Sequence, residues 1–253
     1  MIWSDINLTE LVAMYVLPFC RIAAVLMVAP VLGANLLPQR VKITLALVIS
    51  ALLVPIVPGN EVGEFPTLLQ IIQEILVGVA IGFVVQLVFD AMVLGGQAAA
   101  MSMGLGFAFF IDSQRGINVP IVSQFFLIMS TLVFLAMNGH LILISVLVDS
   151  FTTLPAGSGG LGSAEFGDIA AQGTLLFVGA LKLALPAVAS LLAVNIAFGV
   201  VSRAAPTLNL FAVGFPVTML LGFIVLQFSF GNLGPNLEYL FDAAFAVLRD
   251  ILE

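Results

Sequence analysis

The chain has 253 residues, of which 62% are hydrophobic and 8% charged, against about 25% charged in a soluble domain. This composition defines an all-α integral membrane protein, and no polar block is long enough for a separate soluble domain, so residues 1–253 read as one membrane domain. Fourteen acidic against seven basic residues give a net charge of −7, which argues against nucleic acid as a partner and leaves no polybasic cluster for lipid.

The chain opens MIWSDINLTE. Asp5 and Glu10 stand where a secretory signal has basic residues, so the first apolar segment is expected to stay in the mature protein. That segment, Leu11 to Leu32, carries Pro18, Arg21 and Pro30, and the single cysteine, Cys20, excludes an internal disulfide framework. Val41 to Val57 is a second segment, at the short limit for a crossing. Leu68 to Leu94 is a third. Glu74 and Asp90 in it stand about 24 Å apart on a helix axis, near opposite boundaries of a hydrocarbon layer about 30 Å thick. Gly78 and Gly82 form a GxxxG step, a candidate close-packing face.

Gly95 to Pro120 reads GGQAAAMSMGLGFAFFIDSQRGINVP. Gly95, Gly96, Gly104, Gly106 and Gly116 each weaken a helix by about 1 kcal/mol relative to alanine, which predicts an apolar but irregular segment. Irregular backbone at membrane depth has to be covered by protein or line a cavity. A pore is the natural shelter, with Met101, Met103, Phe107, Phe109 and Phe110 as a seal and the glycines as its hinge. Core packing is the competing reading of the same side chains. Asp112 and Arg115 are spaced for a local pair or a contact with a neighbour.

Ile121 to Met137 and Leu141 to Val148 flank the turn Asn138-Gly139-His140, as one bent span or a re-entrant hairpin. Pro155 to Gly173 is the one soluble-looking loop. Gly173 to Val201 is a long apolar helix with Lys182, Pro186 and Asn195, and Pro206 to Phe230 is expected to break at Pro216. In 235–253, Leu237, Leu240, Phe241, Ala244, Phe245 and Leu248 recur at helical spacing, as on an amphipathic surface or partner-facing helix. Arg40 and Lys42, Arg115, and Arg203 fall in alternate connections. If Ile121 to Val148 is one crossing, the positive-inside rule makes that side cytoplasmic.

Lys182, counted from Gly173, falls about 14 Å along its helix, near mid-layer, where a charge is costly. It reads as a structural or intersubunit contact, or as an ion-coupled site paired with Asp90, Glu74 or Asp149. His140 is the only histidine, so a metal site lacks its usual ligands, and it reads as a helix-end residue. No nucleophile elbow, phosphate loop or hydrolase carboxylate pair is present, so neither an enzyme nor a cofactor is expected.

Several blocks carry a family resemblance. They are Pro30-Val31-Leu32-Gly33 with Leu37-Pro38 and Arg40; Gly104, Gly106 and Asp112; and Asn138-Gly139-His140 leading to Ser150 and Leu154-Pro155. Asn195, Gly199, Arg203, Pro206, Asn209-Leu210-Phe211 and Gly214-Phe215-Pro216 complete the set. In order and spacing the chain resembles the FliR family of flagellar biosynthetic proteins, whose injectisome relatives serve type III secretion. The resemblance implies a non-enzymatic subunit of an export gate in the bacterial inner membrane, within the flagellar basal body. It implies assembly with FliP-like and FliQ-like subunits, an associated FlhB-like subunit, and unfolded flagellar proteins as cargo. It also implies proline-broken helices in angled hairpins packed on other subunits, with Met101 to Arg115 as the loop plugging the closed pore. Intersubunit or intramembrane polar contacts are then expected from Glu74, Asp90, Asp112, Arg115, Lys182 and Arg203. The alternative class is a stand-alone secondary transporter with broken helices around a mid-membrane site.

Overall fold

The computed structural model describes residues 8–33, 38–55, 66–106, 120–204 and 210–252. Every regular element among them is helical. In hydrocarbon each backbone N–H and C=O needs an internal partner, and a helix supplies all of them within one segment. In chain order the helices are α1 (Leu8–Val28), α2 (Gln39–Leu53), α3 (Leu68–Ser102), α4 (Ile121–Ala136) and α5 (Gly139–Thr153). They are followed by α6 (Ser163–Ala171), α7 (Gly173–Ala204), α8 (Leu210–Ser229), a 3₁₀ turn (Phe230–Asn232) and α9 (Leu233–Leu252). Among the described residues, three helical runs are long and apolar enough to cross a membrane: Leu68–Ser102, Ser163–Ala204 and Val213–Leu252.

Three expectations change. Pro18, Pro186 and Pro216 all lie inside helices and end none of them. Each removes one N–H from the ladder, and apolar packing holds the remainder in register. The segment Pro155 to Gly173 is not all loop, since α6 occupies half of it, with Glu165 in the first turn where the helix dipole favours an acid. Finally, α3 passes through Gly95 and Gly96 and stops only at Ser102, so the first part of the stretch expected to be irregular is helical.

The chain forms two compact units. One comprises residues 1–87, 138–173 and 241–253, the other 88–137 and 174–240. In the first, α1 packs on α2 and crosses α3 at the GxxxG step. A Cβ at Gly78 would strike the Arg21 carbonyl, and one at Gly82 would lie 3.0 Å from the Ala29 nitrogen. Only glycine permits this approach. Ile22, Val25, Val77, Ile81, Leu147 and Phe151 are buried around the crossing.

In the second unit, Phe89 meets Phe134 edge-on at 5.5 Å between ring centroids, and Phe125 and Phe126 both approach Phe230. Gly95 and Gly96 are the small residues of this core. A Cβ at Gly95 would lie 2.9 Å from the Ala180 carbonyl oxygen of α7, and one at Gly96 would lie 2.8 Å from the Ser123 Cα of α4. Close packing on both sides outweighs the helix-propensity cost of about 1 kcal/mol per glycine. Along α9, Leu237 and Leu240 of this unit, and Phe241, Ala244, Phe245 and Leu248 of the first, are all buried. The apolar stripe predicted there is covered by the chain itself, not left for a partner.

Candidate functional site

In the first unit a charge cluster is closed off from solvent. Arg21 on α1 is fully buried, and its Nε donates to Glu74 Oε2 of α3 at 2.6 Å. Its Nη1 donates to the Ser150 carbonyl at 2.8 Å and to Ser150 Oγ at 3.1 Å, both on α5. The guanidinium stands 4.4 Å from the Phe151 ring centroid, a cation–π contact strengthened by desolvation. The second carboxylate oxygen, Glu74 Oε1, accepts the Gly157 N–H at 3.0 Å, and Gln70 Nε2 donates to the Gly157 carbonyl at 3.1 Å. Gly157 has φ +79°, a left-handed conformation that suits glycine. One ion pair thus clasps three helices and the loop after α5. Its charges cancel where neither could stand alone.

Glu74 was expected to make a polar contact, and it does, with Arg21. Arg21, Ser150, Gln70 and Gly157 escaped sequence reasoning as members of one site. A lone arginine inside an apolar helix is itself a demand for a buried anion, and α3 offers only Glu74 and Asp90.

In the second unit α3 ends in a Schellman motif. The Gly104 N–H bonds the Met101 carbonyl at 3.1 Å, the Leu105 N–H bonds the Ala100 carbonyl at 3.1 Å, and Gly104 has φ +82°. Met103 is fully buried, and its side chain lies where a Cβ on Gly222 of α8 would be. The Phe215 ring of α8 borders Gly104 at 3.1 Å from where a Cβ would stand. Met101 is 58% exposed. Of the expected seal residues, Met103 therefore anchors the helix end in the core while Met101 stays free of it. Phe107, Phe109, Phe110, Asp112, Arg115 and Gly116 lie outside the described residues. Gly104 and Gly106 remain at the start of the segment, whereas Gly95 and Gly96 are packing residues inside α3.

Glu74 is held by Arg21, Asp149 is exposed and accepts the Ser145 hydroxyl at 3.3 Å, and Asp90 is half-buried with a partner of its own. Lys182 is exposed, with Nζ 5.0 Å from the Tyr239 ring centroid, and Arg203 is exposed in the last turn of α7. His140 stands in the first turn of α5, after Asn138 at φ +58°.

Long apolar helices, a buried ion pair and glycine-mediated crossings define an integral membrane protein, and comparison supplies its class. The model of the family described as bacterial export proteins, family 1, matches residues 12–244. The flagellar biosynthetic protein FliR of Escherichia coli (strain K12) is 38% identical over 241 residues, covering 94% of this chain and 92% of that relative. FliR of Pectobacterium carotovorum subsp. carotovorum is 39% identical over 252 residues, covering 99% and 95%. FliR of Bacillus subtilis (strain 168) is 28% identical over 255 residues, covering 97% of each chain. The chain belongs to the FliR family, and it is a membrane component of flagellar protein export, not an enzyme.

Proposed function

We propose that the chain is a subunit of the flagellar export gate in the bacterial inner membrane, joining FliP-like and FliQ-like subunits, with an FlhB-like subunit associated, around a pore for unfolded flagellar proteins. The segment after Met103 plugs that pore when it is closed. Helix length carries the reading. At 1.5 Å per residue, α2 with 15 residues reaches about 22 Å and α7 with 32 residues about 48 Å, against a hydrocarbon layer of about 30 Å. Both are richly apolar outside: Val41, Leu47, Val48 and Leu52 on α2, and Phe177, Leu185, Ile196 and Val200 on α7, are exposed. A bilayer alone matches neither length, so apolar surfaces of other subunits are the fitting cover. The Schellman stop at Gly104 supports the plug, because it releases the chain from α3 at a fixed point while buried Met103 holds the base. Gly104 and Gly106 then supply the hinge, and Met101, Phe107, Phe109 and Phe110 the seal.

Two experiments test this. Co-expressed with FliP-like and FliQ-like chains, the protein should gain stability and co-purify in one particle; a stable particle of this chain alone, unchanged by those subunits, refutes the gate. Deleting Phe107 to Phe110, which spares the Met103 anchor, should make cells carrying the assembled gate permeable to small ions. An assembled deletion variant that stays tight refutes the plug.

A further inference from the structure

Residues 155–162 form a glycine-rich strap between α5 and α6, and none of them is buried. The turn within it is self-contained, because the Ser158 N–H and Oγ both donate to the Pro155 carbonyl, at 3.1 and 2.7 Å. Two hydrogen bonds tie the strap to α3. Glu74 Oε1 accepts the Gly157 N–H, and Gln70 Nε2 donates to the Gly157 carbonyl. Gln70 Oε1 accepts the Thr67 N–H at 2.8 Å, which leaves Nε2 directed at the strap. With so little apolar surface held down, lifting the strap loses these two bonds and little else.

On lifting, Gly157 and Gln70 turn to water. Glu74 Oε1 is the one member of the two ties that belongs to a buried side chain, and a buried acceptor left unpaired is costly. Arg21 holds a replacement. Its Nε donates to Glu74 Oε2 and its Nη1 to Ser150, whereas Nη2 is buried and finds no acceptor among the described residues. Nη2 lies on the same edge of the guanidinium as the Nε hydrogen, the edge that grips both oxygens of a carboxylate side-on. One prong of that fork is in use. The oxygen that would fill the other is the one given to the strap.

We propose that the strap is a two-position latch, in which Glu74 Oε1 exchanges the Gly157 N–H for Arg21 Nη2. In the lifted position the ion pair becomes bidentate, α1, α3 and α5 stay clasped, and α6, which follows the strap at Ser163, is released from the start of α3. The spare donor on Arg21 is what lets the loop leave without stranding a charge.

Hydrogen exchange of the full-length chain in detergent, read at the Gly157 amide by mass spectrometry, and NMR of its isotope-labelled arginine side chains test the latch. Arg21 is recognised there by slow exchange with water, since it is buried whereas Arg40, Arg203 and Arg249 are exposed. Gly160→Val should lift the strap without altering either tie, because even a Cβ at Gly160 would lie 2.8 Å from Gln73 Cγ. The Gly157 amide should then exchange about tenfold faster than in wild type, and the Arg21 Nη2 resonance should move as it takes up the carboxylate. Gln70→Leu removes one tie, adds no bulk to the strap, and serves where Gly160→Val does not fold. It should raise the same exchange about fivefold and move the same resonance. Gly167→Ala, in open space on α6, should change neither. Unchanged Gly157 exchange in a folded strap variant overturns the proposal, since the strap then lifts only with the helices. Faster exchange with an unmoved Nη2 resonance overturns it as well, because water and not Arg21 then takes the released oxygen. So does an equal response in Gly167→Ala.

Discussion

Replacing Glu74 by glutamine changes little in shape and much in bonding. The carboxylate accepts through both oxygens, Oε2 from Arg21 Nε and Oε1 from the Gly157 N–H. An amide has one acceptor oxygen and turns an NH₂ toward the other donor, so either Arg21 or Gly157 loses its partner. The arginine, fully buried, also loses its counter-charge. Breaking a buried pair from one side costs about 3–5 kcal/mol. For a chain of this size each kcal/mol moves the midpoint by about 2–4 °C, so Tm of Glu74→Gln should fall by roughly 6–20 °C. Thermal unfolding of the detergent-solubilised protein, alone or in its particle, measures it. The pair Arg21→Leu with Glu74→Leu should recover much of the loss, because it leaves no orphaned charge and the Ser150 carbonyl keeps the Leu154 N–H at 3.0 Å. A Glu74→Gln variant melting within about 2 °C of wild type, or a double variant worse than the sum of the single ones, refutes the clasp as described.

Gly96→Ala should lower stability by about 1–3 kcal/mol despite alanine's better helix propensity, because its Cβ meets Ser123 backbone, whereas Gly167→Ala, facing open space on α6, should gain up to about 1 kcal/mol; melting curves of the two decide the sign. Gly104→Ala forces a Cβ into a left-handed conformation and should cost about 1–2 kcal/mol, read in the same assay. Gly222→Leu occupies the place of the Met103 side chain and should destabilise by about 1–3 kcal/mol, with partial recovery in Gly222→Leu with Met103→Ala, measured as a double-mutant cycle.

Composition alone set the class, since a chain with so few charges has no solvent-facing surface to form. Local pattern placed the helix cores well, because a 3.6-residue period of apolar side chains is a local property; the stripe from Leu237 to Leu248 is an instance. Pattern could not say what covers a stripe. That depends on which distant segment arrives, and here the chain covers it itself.

The glycines show the division most clearly. Local propensity treats Gly95, Gly96 and Gly104 alike, as helix breakers. In the fold the first two continue α3 because Ala180 and Ser123 come too close for a side chain, and the third ends it at positive φ. Only tertiary proximity separates the two uses. Likewise the sequence shows Arg21 and Glu74 as charges within apolar segments, Glu74 near a boundary of the layer by helix arithmetic. That they neutralise each other, 53 residues apart and with a loop glycine on the remaining oxygen, was decided by the crossing of α1 over α3, where Gly78 and Gly82 let two backbones meet.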